Sequence, residues 1–242
     1  MKENGKETYT AVVLAAGKGS RMKSRVKKQF MKLMGRPLIF YPLRAFQEST
    51  VDEIILVTEK DSISYCREKI VKRYGFTKVS HIVSGGKERY ESVYEALKRA
   101  NSDYILIQDG ARAFLNDDII IRAMEAVKKY KACVIGMPVK DTIKIVDKDH
   151  YAIETPDRST LWQMQTPQCF VTEEIREAYK KMMEAQEQNV TDDAMVMEKY
   201  GERRIKLIEG SYKNIKITTP EDMLIGKAFM KMRRFKHKLF KK

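Results

Sequence analysis

Ala11-Val12-Val13-Leu14-Ala15-Ala16-Gly17-Lys18-Gly19-Ser20-Arg21-Met22, with Lys28-Gln29 seven residues beyond Arg21, is the stretch that decides how this 242-residue chain is read. An apolar run leads straight into a small, glycine-bearing, basic loop, which is how the first strand of an open α/β sheet ends. Gly17 and Gly19 let the backbone approach a bound group with its N–H donors free, while Ser20, Arg21 and Lys28 surround that group with donors and positive charge. The loop therefore reads as a polyphosphate cradle. It is neither a P-loop, which needs Gly-x-x-x-x-Gly-Lys-Ser/Thr, nor a dinucleotide fingerprint, whose third glycine would stand at Met22.

Working outward, apolar β-rich runs at Tyr9 to Leu14, Glu53 to Thr58, Val79 to Val83, Tyr104 to Gln108 and Cys133 to Met137 alternate with helical periodicity. The helical stretches are Leu38 to Glu48, Ile63 to Tyr74, Tyr90 to Arg99 and Ile119 to Tyr130. That alternation predicts a doubly wound, mostly parallel, Rossmann-like sheet. From Lys140 to Trp162 the period switches. Asp141 to Val146 and Tyr151 to Glu154 alternate polar with apolar around Asp147-Lys148-Asp149-His150, which predicts a projecting β-hairpin. A lone hairpin is marginal in water, so this arm needs something to pack on, and a second subunit is the natural candidate.

Hydrophobic residues at 43% and charged residues at 33% place the chain among globular proteins able to bury a core. The N-terminal residues lack the apolar core of a signal peptide and no run approaches the ~18 residues that span a bilayer, so a cytoplasmic protein is expected. Cys66, Cys133 and Cys169 are scattered and odd in number, which argues against disulfides and zinc and for buried small apolar roles. Residues 227–242 carry eight Lys or Arg and no acid, so they hold more than half of the net +14. Within them Ala228, Met232, Phe235 and Leu239 form a helical stripe, expected to dock the basic tail helix on a single domain spanning 1–226. No base-stacking aromatics accompany the lysines, so neither nucleic acid nor membrane is an expected partner.

Further clusters carry chemistry. Ser84-Gly85-Gly86 precedes a helix, and Gln108-Asp109-Gly110-Ala111-Arg112 ends the most apolar strand with an acid followed by a base, a position suited to Mg²⁺ or a substrate hydroxyl, or to a cap. Gln165-Thr166-Pro167-Gln168, Thr191-Asp192-Asp193 and Asn214-Ile215-Lys216-Ile217-Thr218-Thr219-Pro220 follow. Lys216 sits between two isoleucines and points opposite to them.

Taken in order, these strings resemble one family across roughly residues 8–226, the 2-C-methyl-D-erythritol 4-phosphate cytidylyltransferases of the non-mevalonate isoprenoid pathway. Gly85-Gly86 with Arg89 and Ser92, Pro138-Val-Lys-Asp-Thr142, Asp157-Arg158 with Leu161-Trp162, and Glu209-Gly-Ser-Tyr212 join the strings above in carrying the match. The resemblance implies an Mg²⁺-dependent nucleotidyltransferase whose acceptor phosphate attacks the α-phosphorus of CTP in line and expels pyrophosphate. It implies Arg21 and Lys28 as transition-state stabilisers, with Ala15, Ala16, Gly17 and Gly19 shaping the triphosphate loop. Gly85, Gly86 and Ser92 would hold cytosine and ribose, Asp109 would lie near the metal and the acceptor, and Arg112, Thr166 and Lys216 would contact the acceptor. It also implies a homodimer in which the arm crosses over, so that Thr142 and Arg158 reach the acceptor phosphate in the partner's site. A ribitol-5-phosphate cytidylyltransferase of the same fold shares several of these strings, although Asp157 to Trp162 looks more like the methylerythritol enzyme. A basic nucleic-acid or membrane-surface protein on an inactive copy of the fold is a third reading. Three positions depart from the family pattern: Lys27 and Ala113 stand where proline is frequent, and Lys87 where an acid is usual. Lys27 leaves the loop less rigid in expectation, and Lys87 puts a contact near the cytidine in doubt.

Overall fold

The computed structural model describes residues 6–17, 19–22, 24 and 26–239, with the backbone alone described for Ser20 and 233–239. Its strands are β1 (Tyr9–Ala15), β2 (Lys32–Leu33), β3 (Arg36–Pro37), β4 (Glu53–Thr58), β5 (Val79–Ser84), β6 (Tyr104–Asp109), β7 (Ala132–Pro138), β8 (Ile145–Val146), β9 (Ala152–Glu154), β10 (Trp162–Val171) and β11 (Lys206–Glu209). Its helices are α1 (Phe40–Glu48), α2 (Ile63–Tyr65), α3 (Arg89–Leu97), α4 (Asp117–Tyr130), α5 (Thr172–Glu184), α6 (Asp193–Tyr200) and α7 (Pro220–Leu239).

Seven strands form one sheet in the order β11-β7-β10-β6-β1-β4-β5. Strand β1 pairs parallel with both β4 and β6, and only β10 runs against its two neighbours. The chain thus leaves β1 towards β4 and β5, then returns to lay β6 on the other side of β1. That reversal opens a crevice beyond the carboxyl ends of β1 and β6, where ligands collect in this architecture. The register pairs Leu14 with Asp109 and so brings the glycine loop and the acid together.

Alternation along β1 divides the core into two layers. Ala11 and Val13 face Leu43, Phe46 and Ile120 on one side, whereas Val12 joins Val93, Phe170 and Tyr179 on the other. Covered on both faces, β6 is buried at every residue, as a central strand flanked by helices must be. Helix α4 begins where Asn116 Oδ1 accepts the Ile119 N–H at 3.0 Å, with Asp117 and Asp118 in the first turn, and ends at Lys131 in the left-handed region.

The five expected strands and four expected helices are present, with ends moved by a residue or two. Helix α2 differs in winding, because it runs on as a π-helix over Cys66–Lys72 and buries Cys66 and Ile70. Strand β10 was not expected. Pro167 lacks a ladder donor, and it is accommodated where the pairing with β7 shifts between Met164 and Gln168. The arm is a hairpin whose ladder holds only Ile145 opposite Glu154 and Val146 opposite Ala152. Asp147 Oδ1 accepts the Asp149 and Tyr151 N–H groups at 2.9 Å each and closes its turn. All three cysteines are free and buried.

The tail reading needs correction. Helix α7 starts at Pro220 and runs through the composition boundary at 226. Ala228 and Met232 lie on its exposed side, and the docked face is Met223, Gly226 and Met230, packed on Leu33 and Ile217. The stripe was in the wrong phase, because Gly226 and Met230 each stand two residues before Ala228 and Met232, so the docked face lies on roughly the opposite side of the helix. Phe235 and Leu239 lie outside the described side chains. No described helix is long and apolar enough to cross a membrane.

Candidate active site

A cavity of about 260 Å³ opens beyond the ends of β1 and β6. Ala15, Ala16 and Gly17 form one wall, Lys28 and Gln29 a second, and Gly86 with Ser92 a third; Asp109 and Lys216 close the floor. Two glycines are dictated by close packing. Gly19 has φ +63°, and a Cβ there would lie 2.7 Å from Lys28 Cβ; at Gly85 a Cβ would fall 2.5 Å from both Ala16 Cβ and Ser92 Oγ. Gly19 and Gly85 therefore shape the cavity from behind. Ser92 Oγ accepts the Gly86 N–H at 3.2 Å and fixes the third wall.

Asp109 is the electrostatic centre. Its carboxylate lies 3.0 Å from Lys216 Nζ, 3.5 Å from Arg112 Nε and 3.6 Å from Arg89 Nε. Burial alone would raise its pKa, but Arg89, Lys216 and Arg112 outweigh burial and hold the carboxyl far below the usual carboxylate range. Asp109 stays ionised. The pKa of Lys28 is lowered as well, first by burial and then by Lys216, with Asp109 opposing, which for a lysine favours the neutral form.

The supporting residues are themselves anchored. Arg112 donates from Nη1 to the Asn214 carbonyl at 2.7 Å and from Nη2 to the Met164 carbonyl at 3.3 Å, while Asn214 Nδ2 donates to the Thr166 carbonyl at 3.0 Å. Thr166 Oγ1 accepts the Asp109 N–H at 3.1 Å. Arg112 and Thr166, expected to touch the acceptor, do not line the cavity, and both contact Asp109. Arg21 is exposed in a 3₁₀ turn, Ser20–Met22, near enough for its charge to act on Lys28. Arg158 and exposed Thr142 lie on the arm and do not line the cavity; Arg158 Nη1 donates to the Lys140 carbonyl at 2.9 Å.

Two residues that the sequence marked only as members of motifs, with no role, also stand at the site. Arg89 grips Asp193 with both ends of its guanidinium, and Gln29 lines the cavity only 3% exposed, its Nε2 donor unmatched by any described acceptor. An unmatched buried donor facing a cavity is a place for a ligand's oxygen. Local spacing gives Arg89 no role, since its partner Asp193 lies 104 residues away.

Among the described residues no three acidic, His or Cys side chains gather as a metal cage. Mg²⁺ needs none, being held commonly by one or two carboxylates plus substrate phosphates. Ionised Asp109, beside a polyphosphate-sized cavity, fits that pattern.

A family model described as 2-C-methyl-D-erythritol 4-phosphate cytidylyltransferase matches residues 9–232. A relative of that name from Lachnospira eligens is 53% identical over 228 residues, covering 92% of this chain and 99% of its own. One from Lachnoclostridium phytofermentans is 46% identical over 226 residues, covering 93% and 97%. Among solved structures, 4-diphosphocytidyl-2C-methyl-D-erythritol synthase from Anaerococcus prevotii matches with a TM-score of 0.82 at 33% identity, covering 93% of this chain and 96% of that one. The 2-C-methyl-D-erythritol 4-phosphate cytidylyltransferase from Thermus thermophilus matches at 0.75 and 27% identity, covering 91% and 98%.

Proposed function

The chain belongs to the 2-C-methyl-D-erythritol 4-phosphate cytidylyltransferase family, and we propose that it transfers CMP from CTP to 2-C-methyl-D-erythritol 4-phosphate. The observation that carries this reading is the convergence of Lys28, Lys216 and ionised Asp109 on one cavity at the β1/β6 crevice. A phosphate oxygen of the acceptor forms a bond to the α-phosphorus of CTP, the bond from that phosphorus to the bridging oxygen breaks, and pyrophosphate leaves with the electron pair. The attacking phosphate is already an anion, so the protein needs no covalent nucleophile. The obstacle is repulsion between two polyanions, and fixed cations remove it.

Lys28 and Arg21 neutralise the charge that gathers on the α-phosphoryl oxygens. Ala15, Ala16, Gly17 and Gly19 shape the triphosphate loop, and Gly85, Gly86 and Ser92 hold the cytidine. Lys216 binds the acceptor, held towards it by Asp109. When bound, Mg²⁺ carried by the triphosphate supplies further neutralisation, with Asp109 as its protein carboxylate. Two phosphorylated, water-borne substrates suit a cytoplasmic enzyme.

The hairpin supports a homodimer. Ile145, Val146, Tyr151 and Ile153 are 46 to 73% exposed on the arm, an apolar surface that a second copy would cover. Thr142 and Arg158 then serve the partner's site, where a guanidinium suits a phosphate bidentately. Pyrophosphate release from CTP is the test, with methylerythritol phosphate and ribitol 5-phosphate as alternative acceptors. Release with the first alone is expected; release with the second alone, or with neither, overturns the proposal.

A further inference from the structure

Lys27 and Lys28 are adjacent, yet only Lys28 enters the cavity. Lys27 Nζ donates to Glu59 Oε2 at 2.5 Å, to Asp61 Oδ1 at 2.9 Å and to Ser62 Oγ at 2.9 Å. All three acceptors belong to the segment leaving β4. An ammonium has three donors, so this one is fully committed and has none to spare for a ligand. The Lys27 carbonyl accepts the Phe30 N–H at 2.9 Å and opens the 3₁₀ turn Lys28–Phe30. On its other side Lys28 rests on Gly19, where no Cβ fits.

We propose that Lys27 is a positioning residue for Lys28: its three-way tie to Glu59, Asp61 and Ser62 pins the loop to the end of β4, so that Lys28 is presented to the phosphates at a fixed place. This rests on the function proposed above and names what fixes that site. The tie is a poor device for global stability, because the side chains of Lys27, Glu59 and Asp61 are 32, 28 and 74% exposed and exposed ion pairs contribute little. It suits local placement, since the charge on Lys28 acts only if held within a fraction of an ångström of its target. A second purpose, shielding incoming CTP from Glu59 and Asp61, is distinguishable: shielding acts on CTP binding, placement on turnover.

The test compares Lys27→Met with wild type in steady state, in single turnover within a Lys28→Ala background, and by amide hydrogen exchange without substrate. Placement predicts a kcat roughly tenfold lower with the KM for CTP within about twofold, the scale of a small misplacement near the chemistry. In the Lys28→Ala background the effect of Lys27→Met should vanish, because Lys27 acts through the side chain already removed. Exchange at the Phe30 and Met31 amides should accelerate. Lys27→Pro should restore most of the lost turnover, because Lys27 has φ −55°, inside the proline range of about −65 ± 15°, and its N–H donates to no described residue. Should Lys27→Met misfold, Glu59→Gln with Asp61→Asn cuts the same tie. Unchanged kcat and exchange, a loss undiminished without Lys28, a loss confined to the KM for CTP, or no recovery by Lys27→Pro overturns the proposal. A wild-type protein without acceptor-dependent pyrophosphate release fails the enzymatic reading instead, and the exchange rates then judge the anchor by themselves.

Discussion

Arg89 and Asp193 meet end to end: Nη1 lies 2.8 Å from Oδ1 and Nη2 lies 2.7 Å from Oδ2, with Asp193 fully buried and Tyr179 Oη donating to the same carboxylate. The far side of the same guanidinium reaches Asp109. The start of α6 is thus coupled to the active-site carboxylate through one side chain, whose pKa stays well above the arginine norm because, against burial, Asp193 and Asp109 together favour its charge. Asp193→Asn keeps the shape and removes the charge. Stability to urea should fall by about 2–4 kcal/mol, near the cost of breaking a buried pair, and turnover should fall as Arg89 is drawn onto Asp109. Arg89→Lys should do no better, since an ammonium cannot grip both oxygens. Unchanged unfolding and kinetics in Asp193→Asn would remove this coupling.

Lys28→Ala should lower kcat by about two to three orders of magnitude, the scale for losing one pre-organised charge, and weaken CTP binding less. Neighbouring Lys27 cannot take over, because its ammonium is committed to Glu59, Asp61 and Ser62. A pH signature accompanies the role. Burial and Lys216 lower the pKa of Lys28, so its charge is lost as pH rises at a lower pH than for a free lysine. The alkaline limb of kcat/KM, which reports the free enzyme, should lie below the ordinary lysine value and be absent from the residual activity of Lys28→Ala. Because the unfolded chain holds this proton longer, stability rises with pH between the folded and unfolded values.

The parallel sheet was legible because β1, β4, β6 and β7 are apolar runs of strand length separated by amphipathic stretches. The family strings likewise marked Lys28, Asp109 and Lys216, which meet in the cavity. Strand β10 was hidden by the polar Gln165-Thr166-Pro167-Gln168 within it, whose glutamines are structural: Gln168 Oε1 accepts the Asp193 and Ala194 N–H groups, and Gln165 Nε2 donates to the Ser211 carbonyl. Such pairings join residues tens of positions apart and leave no local period. The α7 stripe misled for a related reason, since four apolar residues in phase do not say which face finds a partner.

Asp109→Asn should abolish measurable transfer and also destabilise the fold, as it leaves Arg89, Arg112 and Lys216 facing a neutral group. About 1–3 kcal/mol is expected, because Arg89 keeps Asp193 and Lys216 is partly exposed. The folded pKa of Asp109 is depressed, so its contribution is complete above the unfolded carboxylate value of about 4 and is lost as pH falls below it. Wild type and Asp109→Asn should therefore converge in stability on acidification. Parallel stability curves down to the acid limit would contradict this.

The last prediction concerns the arm. Its two-stranded ladder is too short to hold itself, its apolar residues face water, and Arg158 lies outside this chain's own cavity. If Arg158 serves the partner's site, two inactive proteins should rescue each other. Arg158→Ala and Lys28→Ala are mixed under conditions that exchange subunits. In each mixed dimer one site collects both damaged residues and the other collects Lys28 and Arg158 intact. Random exchange makes about half the dimers mixed, so about one quarter of all sites should recover, by the symmetry of a two-fold assembly. A charge placed on the arm, Ile153→Asp, should shift the protein to monomer in sedimentation and remove the rescue. Verified exchange without recovered activity would mean that the arm serves its own subunit.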